Sequence, residues 1–334
     1  MCTKQSRRHF MQTSGIALGT VALNNLIPAG HPVQAKEGNV PVFFTQDISE
    51  KGLQALYSKV EQQKKLTGKV AVKLHSGEPG GHHFVTPTLI KALVQSLHAT
   101  IVECNTAYPG KRYDTASHKQ VLHDHGFVDI APFDILDEEG SIALPFPSGK
   151  NIQENWVGSH FSNYDSFLIL SHFKGHAMGG FGGAIKNMSI GIASAEGKMW
   201  IHTAGATKDL KNFRMAFSTK QDLFLESMAE AAGSVINKLN QNLLYINVMN
   251  NLSIDCDCSG HPASPELEDI GILASLDPVA LDKACVDLVY AADQTKSASL
   301  RKRIESRNGI HTLQYAEQLG LGSQSYTLEK IDIS

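Results

Sequence analysis

The sequence predicts an α/β fold, a mostly parallel sheet with helices on both faces, with 36–150 and 151–334 as candidate sub-domains. Apolar runs of strand length alternate with segments of helical period, the pattern of strands crossed over by helices. Three of those strands also run straight into loops crowded with glycine, histidine or cysteine. In a parallel sheet such loops gather at the carboxyl edge, where ligands bind.

In order, Val40 to Thr45 reads as a first strand, and Ser49 to about Lys64 as a helix with Leu53, Leu56, Tyr57 and Val60 on one face. Val70 to Leu74 is a second strand, followed by the loop His75-Ser76-Gly77-Glu78-Pro79-Gly80-Gly81-His82-His83. Thr86-Pro87 supplies an N-cap and a proline at the first helical position. A third strand spans Thr100 to Glu103. The helix Thr115 to His125 carries His118, His123 and His125, expected to face solvent, and a strand near Phe133 to Leu136 precedes a polar connection or small insertion reaching Asn155.

Phe167 to Leu170 resumes the sheet and enters the densest stretch of the chain. His172, Lys174 and His176 are followed by Gly179, Gly180, Gly182 and Gly183, then Lys186, and a small apolar segment leads to His202. Glycine costs backbone entropy, so such a run implies positive φ or close approach of the backbone to a ligand. Neither G-x-x-x-x-G-K-[ST] nor G-x-G-x-x-G is present, so the familiar nucleotide motifs are absent. Leu223 to Leu239 is a helix with a core face. The strand Leu243 to Val248 enters a third polar loop, containing Cys256, Cys258 and His261. A strand at Ile270 to Ala274, a helix from Pro278 capped by Asp277 with Cys285 in its core face, a helix near Ile310 to Leu319 and a strand at Tyr326 to Ile333 complete the chain.

The 334 residues, 42% hydrophobic and 19% charged, can bury a sizeable core. Net charge is −3 with the basic residues dispersed, which argues against nucleic acid as a partner. At the N-terminus, Ser6-Arg7-Arg8-His9-Phe10 looks like a twin-arginine export motif, followed by an apolar segment and Val33-Gln34-Ala35 as a cleavage site. Residues 1–35 are therefore expected to be a signal peptide read by the twin-arginine machinery, and 36–334 a periplasmic or otherwise exported domain. No apolar run after that segment approaches the length of a membrane span.

The joined loops would bring His75, His82 or His83 together with His172, His176, Lys186, His202, Cys256 and Cys258. Imidazole and thiolate are the usual ligands of transition metals, which makes His75, His172, His176, Cys256 and Cys258 candidate ligands. A redox-active thiol pair is the alternative for the cysteines, whose one-residue separation makes an unstrained disulfide difficult. Lys186, in a run of small residues, suits covalent attachment or anion binding, unless its amine simply reaches water.

The segments HFKGHAMGGFGGAIKNMSIGIAS, CDCSGHP, DIGILASLDPVALDKACVDLV and GLGSQSYTLEKI resemble the family catalogued as domain of unknown function 362, often labelled iron-sulfur-centre proteins. Many relatives carry an appended ferredoxin module with C-x-x-C-x-x-C runs; this chain has none. His176, Lys186 and His202 also stand at the intervals of a more distant group, the nickel-pincer lactate racemases. That resemblance implies a lysine holding the pincer nucleotide and two histidines cooperating in hydride transfer at a 2-hydroxy acid.

The sequence thus points to an exported metal- or cofactor-dependent enzyme with redox or racemase-like chemistry on a small polar substrate. Its catalytic residues would be His176, Lys186 and His202, with Lys186 and the four glycines holding a cofactor of iron-sulfur or nickel type. A metal carrier without chemistry and an electron-transfer subunit are the alternatives.

Overall fold

The computed structural model describes residues 40–240 and 242–333; the expected signal peptide lies outside the described residues. The strands are β1 Val40–Thr45, β2 Val70–Lys73, β3 Thr100–Glu103, β4 Phe133–Ile135, β5 Ser141–Pro145, β6 Glu154–Gly158, β7 Ser166–His172, β8 Lys174–His176, β9 Gly180–Gly182, β10 Leu243–Met249, β11 Gly271–Ser275 and β12 Tyr326–Lys330. The helices are α1 Glu50–Glu61, α2 Pro87–Ser96, α3 Thr115–Asp124, α4 Ala184–Ser189, α5 Ala195–His202, α6 Gln221–Leu239, α7 Pro278–Ala291, α8 Ala298–Ser306 and α9 His311–Gln318.

Eight strands form one sheet in the order β12-β1-β11-β10-β7-β2-β3-β4, so strands from before and after residue 150 share it. Every pairing in the sheet is parallel except the two made by β11. Side chains alternate across the pleat and bury both faces. Phe167, Ile169 and Tyr245 point into a layer with α4, α6 and α7, whereas Leu168, Leu170 and Ile246 meet α1 and α2 on the other side. The sheet is therefore a wall with helices on both faces, as α/β architecture requires. Among the described residues no helix is long and apolar enough to cross a membrane.

Local chemistry sets the helix ends. Ser49 accepts from Gly52 N at 3.1 Å to start α1, and Asp277 accepts from Val279 N and Ala280 N to start α7. Before α2 the Thr86 hydroxyl pairs with Thr88 instead of the backbone, so the proline alone marks that start.

The stretch expected as a connection or small insertion contains β5 and the start of β6, which form an antiparallel hairpin. One expectation needs correction, because not all three histidines of α3 and its C-cap face solvent. His118 is fully buried, its Nδ1 on Asn105 Oδ1 at 3.2 Å, and His125 stacks on Phe84 while its Nδ1 meets Ser76 O at 2.7 Å. The His118 ring is thus held by the loop after β3 and the His125 ring by the loop after β2, and of the three only His123 is exposed.

Candidate functional site

The loops after β2, β7 and β10 meet at the carboxyl edge around one cavity of about 400 Å3, within the usual size range of small-molecule sites. Direct backbone contacts join them. Glu78 N donates to Asp257 O at 2.8 Å, and Gly175 N donates to Ser253 O at 2.8 Å.

The stretch expected as a glycine-rich loop is a small hairpin, β8 on β9, leading into α4. Only Gly180 among its four named glycines has positive φ, +81°, and it packs on Gly309. Gly183 is required for another reason: a Cβ there would collide with the Asp282 carboxylate. That carboxylate accepts from Ala184 N at 2.7 Å and Ile185 N at 3.0 Å, and Asn247 Nδ2 donates to it at 2.7 Å. Asp282 thus caps α4 from outside and fixes the helix that carries Lys186. Gly182 and Gly183 line the cavity, whereas Gly179 and Gly180 shape the hairpin behind it.

Five cationic side chains line the cavity: Lys73, Arg112, Lys174, Lys186 and Lys198. Three have carboxylate partners. Lys73 Nζ meets Glu103 Oε2 at 2.8 Å, with both side chains buried, and also donates to Asn187 Oδ1 at 3.2 Å. Arg112 Nε meets Glu78 Oε2 at 2.8 Å, and Lys174 meets Asp257 at 2.6 Å. Burial works against the charge on Glu103, yet Lys73, His75, His118 and Arg112 outweigh it and hold the carboxyl well below its usual range. Lys198 donates to Ala193 O at 2.5 Å. Lys186, half-buried, has no ion pair or hydrogen bond of its amine among the described residues.

The histidines divide by what their nitrogens do. His172 faces acceptors on both sides, Asp257 at 2.9 Å from Nδ1 and Asn250 O at 2.6 Å from Nε2, so neither nitrogen is free for a metal. His176 Nδ1 accepts from Gly179 N at 2.8 Å and Met178 N at 3.2 Å. His75 Nδ1 accepts from Gly77 N at 3.1 Å in the same manner. His202 does the reverse: Nδ1 donates to Lys198 O at 2.6 Å, the ring stacks on Phe224, and the Nε2 lone pair has no partner among the described residues. Burial pushes the His202 pKa down to about 3, so it is neutral at ordinary pH. His82 is exposed, and neither it nor His83 lines the cavity.

Cys256 and Cys258 stand with His176 in one group whose ligating atoms lie within 4.8 Å of one another. The hydrogen bond from Cys258, then Lys186, Lys174 and His176, hold the Cys256 thiol well below its usual pKa against the effect of burial, while Cys258 is pushed up. Of the two thiols, Cys256 is therefore the more acidic. Asp257 between them is buried and locked by Lys174 and His172, which fixes the loop.

An iron-sulfur cluster of the four-cysteine kind does not fit these residues. Cys104 spends its thiol on Ile192 O at 3.2 Å and Cys285 sits in the core beside Asn247, so among the described residues two thiols at most share a site. A lysine-tethered cofactor fits better, because the Lys186 amine and the His202 Nε2 are both unpartnered and both residues line the cavity.

Sequence reasoning passed over Lys73, Glu103, Arg112 and Lys198, although a lysine inside the apolar run VAVKL is itself a signal of a buried pair. It also passed over the rim, where Phe213 and Phe217 meet edge to face at 5.2 Å and Phe217 is 66% exposed.

Residues 70–287 match the family described as "Domain of unknown function (DUF362)". No curated protein matches the sequence. Among solved structures, the lactate racemase apoprotein of Thermoanaerobacterium thermosaccharolyticum is similar at 17% identity and a TM-score of 0.41, over 74% of this chain and 56% of that one. A protein of Thermotoga maritima is similar at 16% identity and a TM-score of 0.40, over 71% of this chain and 57% of its own. The chain thus spans little more than half the length of these two structures.

Proposed function

This chain belongs to the DUF362 family, and we propose that it is an enzyme acting on a small anionic substrate by proton or hydride transfer of the racemase kind. One observation carries the reading: in a cavity whose other cations are paired or hydrogen-bonded, the Lys186 amine has no hydrogen bond or carboxylate partner among the described residues and shares the cavity with His176, His202 and Cys258. A half-buried ammonium without a partner is a ready counter-charge for a carboxylate.

Within that reading Lys186 binds the anion, and Lys198 adds a second positive charge nearby. His202 offers the Nε2 lone pair to a proton, held in orientation by its bond to Lys198 O and by Phe224. A bound carboxylate beside the ring raises its proton affinity from the low value of the empty cavity. Phe213, Phe217 and Met178 limit water at the mouth. A cofactor of nickel-pincer type, if tethered at Lys186 with His202 as its neighbour, would supply hydride acceptance that these side chains lack. Intervals matching that group at His176, Lys186 and His202 support the assignment.

Export by the twin-arginine route belongs to the same proposal and is supported by Arg7-Arg8 and the segment after them. Cell fractionation of an R7K/R8K double variant tests it: retention in the cytoplasm is expected, and unchanged export contradicts it.

For the enzyme reading, intact mass of the protein purified from its own cells is compared with that of Lys186→Ala. An adduct present only on the wild type supports a tethered cofactor. An unmodified mass together with no binding of small carboxylates removes the reading. A second reading, a metal carrier without turnover, is favoured by the His176, Cys256 and Cys258 group; it predicts full metal affinity in Lys186→Ala.

A further inference from the structure

We propose that Cys256 and Cys258 form a two-coordinate bis-thiolate site for a soft monovalent metal ion, copper(I) first, with His176 as a hydrogen-bond donor to the sulfur and not a third ligand. The proposal does not rest on turnover in the cavity, because it stands on the thiols and their neighbours alone.

The three ligating groups lie within 4.8 Å of one another, which at first suggests a three-ligand zinc site. The His176 ring excludes that set as arranged. Its Nδ1 takes two backbone N–H donors, from Gly179 and Met178. A neutral imidazole with an accepting Nδ1 carries its proton on Nε2. That nitrogen can donate to a thiolate but has no lone pair for a metal. Ligation by His176 would require both backbone bonds to break or the ring to lose its last proton.

Among the described residues no further histidine, cysteine or carboxylate, His202 included, joins the group within 4.8 Å. His75 has the same Nδ1 acceptor geometry, His172 is closed at both nitrogens, and the Cys104 thiol is committed to Ile192 O. Two sulfurs therefore remain. Thiolates suit copper(I) and zinc alike, but zinc takes four ligands in its structural sites and three protein ligands in its catalytic ones, so a site of two sulfurs fits copper(I) better.

Charge points the same way. Two thiolates around a monovalent ion keep one negative charge, whereas around a divalent ion they are neutralised. The Lys174 ammonium is already spent on Asp257, but Lys186 is unpaired and close enough to influence both cysteines. One leftover negative charge beside one unpaired ammonium is balanced. Cys258 N donates to Cys256 Sγ at 3.4 Å, which holds the two-residue turn with both sulfurs on one side. Loading forms two metal–sulfur bonds and releases the remaining thiol proton to solvent, with no change in oxidation state.

The test is an anaerobic titration of the reduced, metal-free full chain with copper(I) against a chromophoric copper(I) chelator, with zinc chloride as competitor. One equivalent is expected to bind and to resist zinc. Cys256→Ser and Cys258→Ala are expected to lose more than about 100-fold in affinity, and His176→Gln only about 10- to 100-fold, the range for a supporting partner. X-ray absorption on the copper-loaded wild type, which does not depend on any variant folding, is expected to count two sulfurs and no nitrogen. A nitrogen in that shell, displacement of copper(I) by zinc, or full binding by both cysteine variants would overturn the proposal. Carboxylate binding is measured separately on metal-free protein, so the anion site and the metal site can fail independently.

Discussion

The two walls of the cavity contrast. On the side built by the ends of β2 and β3, Lys73, Glu103, Arg112 and Glu78 form a closed set in which each charge has an opposite charge within 3.7 Å. On the side built by α4, α5 and the Cys256 loop, the Lys186 amine and His202 Nε2 have no ion-pair or hydrogen-bond partner among the described residues, and the only charge the fold sets near Lys186 is that of the Cys256 thiol it helps to hold low. A saturated wall costs desolvation and returns it through internal pairing, so it is structure. An unsaturated wall keeps groups whose best partner is a ligand.

The largest expected difference is in stability. Glu103→Gln leaves Lys73 buried and without its counter-charge, and should cost about 3–5 kcal/mol in urea unfolding. Lys186→Met removes no internal pair and should cost less than about 1 kcal/mol, as for substitutions away from buried networks. Equal losses in the two variants would erase the distinction between the walls.

Next in size is the support of the unsaturated wall. Gly183→Ala forces its Cβ into the Asp282 carboxylate that caps α4, and should cost about 1–3 kcal/mol. Because the shift falls on the helix carrying Lys186, anion binding should weaken along with stability. A variant of wild-type stability would show that Asp282 yields without cost.

A smaller effect concerns pH and the buried side of the saturated wall. Burial, followed by the nearby cations, pushes His118 down to about 3 despite Glu103. The folded chain therefore refuses a proton that the unfolded chain accepts below about 6.5. The contribution is fully present above pH 6.5 and is lost as pH falls from there toward 3. In His118→Gln, unfolding free energy measured across that range should decline less steeply, by up to about 1.4 kcal/mol per pH unit. An unchanged slope would mean that His118 takes up its proton while folded.

The contrast also explains what the sequence reveals. The sheet is legible because runs such as FLIL and LLYINV must be buried on both faces and are separated by helix-period segments. The unsaturated wall is legible too: Lys186, His176, His202 and the C-D-C motif are chemical residues in small-residue surroundings with no packing purpose. The saturated wall is not, because Lys73 and Glu103 lie 30 residues apart and each looks like an ordinary charge until the parallel register of β2 and β3 brings them together. His118 was misjudged for a related reason. Its burial depends on Asn105, in the turn before the helix, and not on the period of α3. The tautomer of His176 could not be read either, since it is set by two backbone N–H groups of the β8–β9 turn.

The most direct measurement is a calorimetric titration of the metal-free protein with small carboxylates, acetate and glycolate, on wild type and on Lys186→Met at matched stability. Binding to the wild type with at least about a tenfold loss in Lys186→Met, equivalent to about 1.4 kcal/mol, is the expected result. Equal binding by the two proteins, or no binding by the wild type, would contradict a cavity organised around a free ammonium.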